Sequence, residues 1–174
     1  MSSPLTAFQG DAIYLDTVML VGLLDANSVY HSACAAFFQR AVDAVRPIHL
    51  VTAILTMDEL IFVLLQEMVA RPPYSIVRSH SRYLHNHPAV VRAMMAQLDP
   101  IVEALFDLVS LEPVLATDIR QMHQEMCASG ILPYDAIHIA VMRRLGLRAI
   151  ASDNDGFDNR QGITLFKPWR SWAR

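Results

Sequence analysis

The run Ala12–Asp16, AIYLD, constrains this chain more than any other feature. Five residues are too few for a stable helix, Ile and Tyr favour strands, and the run ends on an acid. A strand this apolar needs cover on both faces. Short apolar runs recur at Ile48–Val51, Leu108–Leu111, Ala149–Ser152 and Ile163–Phe166. Helical stretches separate them: Thr17–Leu24, Val29–Val45, a helix opening at Thr56 or Thr52 and broken by Arg71-Pro72-Pro73, then Tyr74–His85, Pro88–Phe106, Thr117–Ala128 and Tyr134–Leu145. Pro47, Gly130 and Gly146 serve as stops, and Pro133 suits a first helical turn. Strands alternating with helices require crossover connections. The expected class is therefore α/β, a three-layer α/β/α domain around a mostly parallel sheet of four to five strands.

A chain of 174 residues suits one domain, with a core from about 12 to 168 and an extended helical segment at about 71–106. Hydrophobic residues make up 53% and charged residues 18%, against ~45–50% and ~25% in typical globular chains. No apolar run approaches the ~20 residues of a membrane span. The N-terminal MSSPLTAFQGD has neither the basic nor the apolar region of a secretory signal. These features predict a cytoplasmic protein without membrane contact, whose surplus apolar surface meets a second copy or a partner. Cys34 and Cys127 match no zinc spacing and read as buried thiols. The net charge of −3 advertises no nucleic acid, but the tail is basic. It holds Arg143, Arg144, Arg148, Arg160, Lys167, Arg170 and Arg174 beside Trp169 and Trp172, a set suited to phosphate contact and base stacking.

In parallel α/β sheets, ligands bind beyond the C-terminal ends of the strands. Asp16 ends the first predicted strand, and Asp153 follows the fourth. Glu59 and Asp135 fall in the opening turns of their helices. Each has a structural alternative: Glu59 completes a capping box with Thr56, and Asp135 favours a helix start by its charge. Four carboxylates gathered at one rim repel one another unless a cation joins them. Oxygen ligands select a hard ion, Mg²⁺ or Mn²⁺, and such an ion suits phosphodiester hydrolysis. His138 shares a helical face with Asp135 and reads as a packed or hydrogen-bonded histidine. His85 and His87 do not co-align on a helix.

The segments Tyr14-Leu15-Asp16-Thr17-Val18-Met19-Leu20, Met57-Asp58-Glu59-Leu60, Leu132-Pro133-Tyr134-Asp135-Ala136-Ile137-His138-Ile139-Ala140 and Ala149–Asp158, closing on Gly162-Ile163, together carry a resemblance. In order and spacing the chain resembles the PIN-domain ribonucleases, in the VapC-like branch that includes toxins of type II toxin–antitoxin pairs. The resemblance implies a parallel sheet between helices and a Mg²⁺- or Mn²⁺-dependent endoribonuclease. It also implies an RNA substrate, a small antitoxin partner and a homodimer. Asp16, Glu59 and Asp135 correspond to the family's first three acids. For the fourth, alignment from the strand favours Asp153, while alignment from Phe157 gives Asn154 with Asp155 beside it. Asp16, Glu59, Asp135, Asp153 and Asp155 are thus the expected metal ligands. Ala151 stands where the family usually has Thr, with Ser152 as the nearest hydroxyl, and Thr17 matches the hydroxyl after the first Asp. The 71–106 segment looks longer than in compact toxins, as a dimer surface, a substrate clamp or extra packing.

Two other readings compete. Haloacid-dehalogenase-like phosphatases need a second Asp two positions after the first, where Val18 stands, and a Lys before the final acids, whereas the only lysine is Lys167. A housekeeping RNA-processing nuclease, or a non-catalytic PIN-like binding module, remains the alternative to a toxin.

Overall fold

The computed structural model describes residues 2–169. The elements, in chain order, are β1 (Ser3–Pro4), a 3-10 turn at Leu5–Ala7, β2 (Ala12–Leu15), α1 (Thr17–Leu24), α2 (His31–Asp43), β3 (His49–Ala53) and α3 (Ile54–Ala70). There follow α4 (His80–Asn86), α5 (Pro88–Leu108), β4 (Ser110–Glu112), α6 (Ala116–Ser129), α7 (Pro133–Arg144), β5 (Ala149–Ala151), a 3-10 turn at Asp155–Phe157, and β6 (Thr164–Lys167). The strands form one parallel sheet in the order β1-β6-β5-β2-β3-β4.

The sheet has six strands rather than four to five. The addition is Ser3–Pro4, paired with Phe166 and Lys167 at one edge. Two residues carry no periodicity, and proline is tolerated there because an edge strand has no outer ladder to fill. At the centre, β2 lies between β5 and β3, with Tyr14 opposite Ile150 and Ala12 opposite His49. The chain leaves β2 toward β3 on one side and reaches β5 on the other. That is a topological switch point, which opens a crevice at the strand ends.

Alternation along β2 feeds both layers. Ile13 and Leu15 pack with Met19, Leu20, Leu60, Leu64, Met94 and Leu98 from α1, α3 and α5. Tyr14 points the other way, into a layer with Ile139, Met142, Ile150, Phe157 and Leu165. Every residue of α7 from Ala136 to Met142 is buried, so this helix is enclosed between the sheet and α6. Among the described residues no helix is long and apolar enough to cross a membrane.

Several local expectations change. α3 starts at Ile54, straight after β3, so Thr56 sits inside the first turn and caps nothing. α4 covers only His80–Asn86, because Ser75 and Ser79 adopt left-handed backbone (φ 52° and 58°) and break the expected Tyr74–His85 helix. α6 is capped by the Asp118 carboxylate accepting from Leu115 N–H at 2.8 Å, not by Thr117. Cys34 is buried, with its thiol pushed up to about 12 by desolvation, whereas Cys127 is exposed. Most of the basic tail is engaged within the fold. Arg143 pairs with Glu125 (2.6 Å), Arg144 with Asp118 (3.0 Å) and Glu112 (3.4 Å), and Arg160 donates to Gly156 O (2.8 Å). Arg170, Trp172 and Arg174 lie outside the described residues.

Candidate active site

Asp16 leaves the C-terminal end of β2 and is the N-cap of α1. Its Oδ1 accepts from Thr17 N–H at 2.7 Å, and its Oδ2 accepts from the Ser152 hydroxyl at the end of β5. The first and last of the central crevice strands are thereby stitched through one carboxylate. Burial pushes the Asp16 pKa up, while the Ser152 and Thr17 donors pull it down. The carboxylate is thus held in place but poorly hydrated, a state that an added cation relieves.

Glu59 enters from α3. Because Thr56 is not a cap, Glu59 is not half of a capping box; its Oε2 accepts from Thr17 Oγ1 at 2.5 Å. Thr17 joins the two acids, its amide on Asp16 and its hydroxyl on Glu59. The remaining corner is His138 of α7. Among the described residues Asp16, Glu59 and His138 form the one group of three ligating side chains whose donor atoms all lie within 4.8 Å of one another. His138 is buried, and desolvation drives its pKa down to about 4 against the opposing charges of Glu59 and Asp135. It is neutral near pH 7.

Beneath this group lies a polar pair that the sequence did not announce. Tyr14 OH lies 2.8 Å from His138 Nδ1 and accepts from Ala53 N–H at 3.1 Å. A tyrosine inside an apolar strand was the available signal, since its buried hydroxyl must find a partner.

Asp135, one turn before His138 on α7, accepts from Asn154 Nδ2 at 2.9 Å. Gly156 makes this possible by close approach: a Cβ there would meet Asp135 Oδ2 and Asn154 Oδ1, each at 2.9 Å. Asn154, rather than either neighbouring acid, is what the loop brings to Asp135. Asp153 is exposed and accepts from the Tyr30 hydroxyl, and Asp155 pairs with Lys167 Nζ at 2.5 Å. Of the expected metal ligands, Asp16 and Glu59 come together beside His138, Asp135 stands one helical turn from His138 with its carboxylate on Asn154, and Asp153 and Asp155 are turned to Tyr30 and Lys167.

A family model for the PIN domain matches residues 13–162. The chain belongs to the PIN-domain family. Its fold is similar to that of FitAcB from Neisseria gonorrhoeae (TM-score 0.54, 16% identity, covering 90% of this chain and 98% of that one). It is also similar to DNA-bound VapBC from Salmonella typhimurium (0.53, 15%, 91% and 98%). VapC20 of Mycobacterium tuberculosis, described as a sarcin–ricin-loop-cleaving toxin, matches at 0.51 and 20% identity over 83% and 92%. A comparison with curated proteins finds no match. In this PIN domain the family model begins on Ile13 and so includes Asp16, Glu59, Asp135 and the 153–158 loop.

Proposed function

We propose that this PIN domain is a divalent-metal-dependent endoribonuclease, and the toxin of a type II toxin–antitoxin pair. The observation that carries the reading is the meeting of Asp16, Glu59 and His138 at the switch point, with Asp135 one helical turn away. A partly buried carboxylate and an exposed carboxylate fit a hard divalent cation in charge and as oxygen donors, and the neutral imidazole beside them adds no competing positive charge. Asp16 and Glu59 would hold the ion, Mg²⁺ or Mn²⁺, with Asp135 reaching it from the first turn of α7. When bound, such an ion lowers the pKa of a water and offsets the charge of a phosphodiester.

The protein's own groups have separate tasks in this reading. Thr17 holds Glu59 Oε2, which leaves Oε1 free to accept a proton from a water. Ser152 and the Thr17 amide fix Asp16 against rotation. His138 is oriented beside the carboxylates by Tyr14. Asp153 and Asp155 enter as outer acids, each reaching the ion only after leaving Tyr30 or Lys167.

The toxin assignment draws on neighbours that are themselves VapBC and FitAcB assemblies. An apolar groove lined by Leu55, Val114, Ile119, Met122 and Tyr134, with Leu132 and Tyr134 about 70% exposed (70% and 71%), is where an antitoxin segment or a second copy would bury surface. Cleavage of a structured RNA in Mn²⁺ tests the enzyme. Wild type cleaves, whereas Asp16→Asn and Asp135→Asn do not; variants that cleave as well as wild type would reject the site. Growth arrest on expression, relieved by a small neighbouring protein, tests the toxin role.

A further inference from the structure

From Met68 to Leu98 the sequence holds four arginines and three histidines and not one carboxylate. The rest of the chain carries ten basic residues against seventeen acids, so positive charge is concentrated on this one segment. Arg71 is engaged, pairing with Asp25 (2.9 Å) and Glu67 (3.1 Å). Arg78, Arg82 and Arg92 are not: all three are exposed, and none makes a hydrogen bond or ion pair among the described residues. Exposed arginines without partners are ordinary singly. Here three fall between positions 78 and 92, with exposed His85 and His87 and no acid between them in the sequence, which makes the segment a concentration of free cationic groups.

This segment is held rather than floppy. Ile76 N–H bonds Val69 O at 3.0 Å, His80 Nε2 lies 2.8 Å from Ile76 O, and Leu84 is buried in the core. Tyr83 and His87 stack with ring centroids 4.0 Å apart and planes 18° apart, and His87 Nδ1 lies 2.7 Å from Tyr83 O. The exposed His87 ring is therefore a fixed, flat aromatic surface on the same segment as the three arginines. Flat rings beside arginines are what single-stranded RNA uses, by base stacking and phosphate pairing.

The segment leaves α3 at the end away from the acids. Glu59 lies near the start of α3 and the cationic segment follows its end; eleven residues at ~1.5 Å rise separate Glu59 from Ala70 by about 16 Å. A substrate phosphate near the acids meets negative charge, so attraction from a second surface helps hold a polyanion across both. We propose that Arg78, Arg82 and Arg92, with the Tyr83–His87 stack, form a second RNA-backbone-binding surface on the 71–92 segment. The ribonuclease reading above supplies the identity of the polyanion.

The test is fluorescence anisotropy of a labelled RNA hairpin with the full chain in EDTA, which suppresses cleavage, across about 50–200 mM KCl. Wild type should bind with a steep salt dependence. Arg78→Gln/Arg82→Gln/Arg92→Gln should make the log–log slope shallower by about two to three and weaken binding about tenfold or more at ~0.1 M salt. Arg46→Gln/Arg120→Gln/Gln124→Glu, with the same change in net charge at other exposed sites, should leave the slope within about one of wild type. Equal effects of the two triple variants, no effect of either, or no RNA binding by wild type overturns the proposal. Polyglutamate competing as effectively as RNA assigns the face to an acidic protein instead, and overturns it too. Cleavage in Mn²⁺ is read separately. A chain that binds RNA through these arginines but cuts nothing breaks only the ribonuclease reading, and a chain that cuts while the first triple variant keeps its slope breaks only this proposal.

Discussion

Asp16 and the pair Asp153/Asp155 stand within a few residues of adjacent strand ends, yet their environments differ in kind. Asp16 follows a strand paired on both sides, and two donors from different elements grip its oxygens. Asp153 and Asp155 sit on an exposed loop, each bound to one side chain from elsewhere, Tyr30 and Lys167. A strand end in the middle of a sheet has its direction set by ladder bonds on both flanks. A loop residue is free to satisfy its charge wherever a partner offers itself. The lesson is that an acid beside a strand has its direction fixed only as far as the sheet dictates where it points.

The largest expected effect separates these two kinds of acid. Loss of a group that merely supports a metal ligand costs roughly 10–100-fold, so loss of a ligand lies at or beyond the top of that range. Asp16→Asn should therefore lower RNA cleavage by about a hundredfold or more, and Asp153→Asn and Asp155→Asn by about tenfold or less, read from initial rates in Mn²⁺. Equal losses across the three would erase the distinction.

Next in size is the support under the cluster. Tyr14→Phe leaves Ala53 N–H and His138 Nδ1 buried without their partner, and should cost about 1–3 kcal/mol in urea unfolding. An unchanged midpoint would show that the pair is not needed to hold α7 against β2.

The smallest effects concern pH, measured on metal-free protein. Asp16 has its pKa raised in the fold, so ionising it there is unfavourable relative to the unfolded chain, and stability falls as pH rises through the folded value. Asp16→Asn should remove that fall and melt higher than wild type at pH 7, despite the loss of cleavage expected of it. Added Mn²⁺ should raise the melting temperature of wild type much more than that of the variant. His138 has the opposite sign of dependence. It stays neutral in the fold down to about 4, whereas the unfolded chain takes up the proton near 6.5, so stability is lost as pH falls between those values. His138→Gln should flatten the profile in that window, as followed by thermal melts from pH 7 to pH 4.

Much of this was legible in the chain itself. Five of the six strands, the parallel α/β class and the placing of Asp16 at a strand end follow from short apolar runs alternating with helical stretches, because burial of a strand on both faces leaves few other arrangements. Ser3–Pro4 was not legible, since two residues hold no period. The Arg-rich tail was legible only as charge: composition records that Arg143 and Arg144 are cationic, but not that Glu125 and Asp118 of α6 pair with them.

The site divides along the same line. Residue type and distance from a strand or helix start marked Asp16, Glu59 and Asp135, since both are local properties. Thr17 as the bridge to Glu59, Tyr14 beneath His138, and Asn154 on Asp135 belong to the tertiary structure alone. Each joins residues from different elements across the crevice, where hydrogen-bond direction and the space left by Gly156 decide the pairing. Sequence by itself determined which groups are chemically able to act. The fold decided which of them face one another, because a carboxylate's role depends on the donors around it and those arrive from distant parts of the chain.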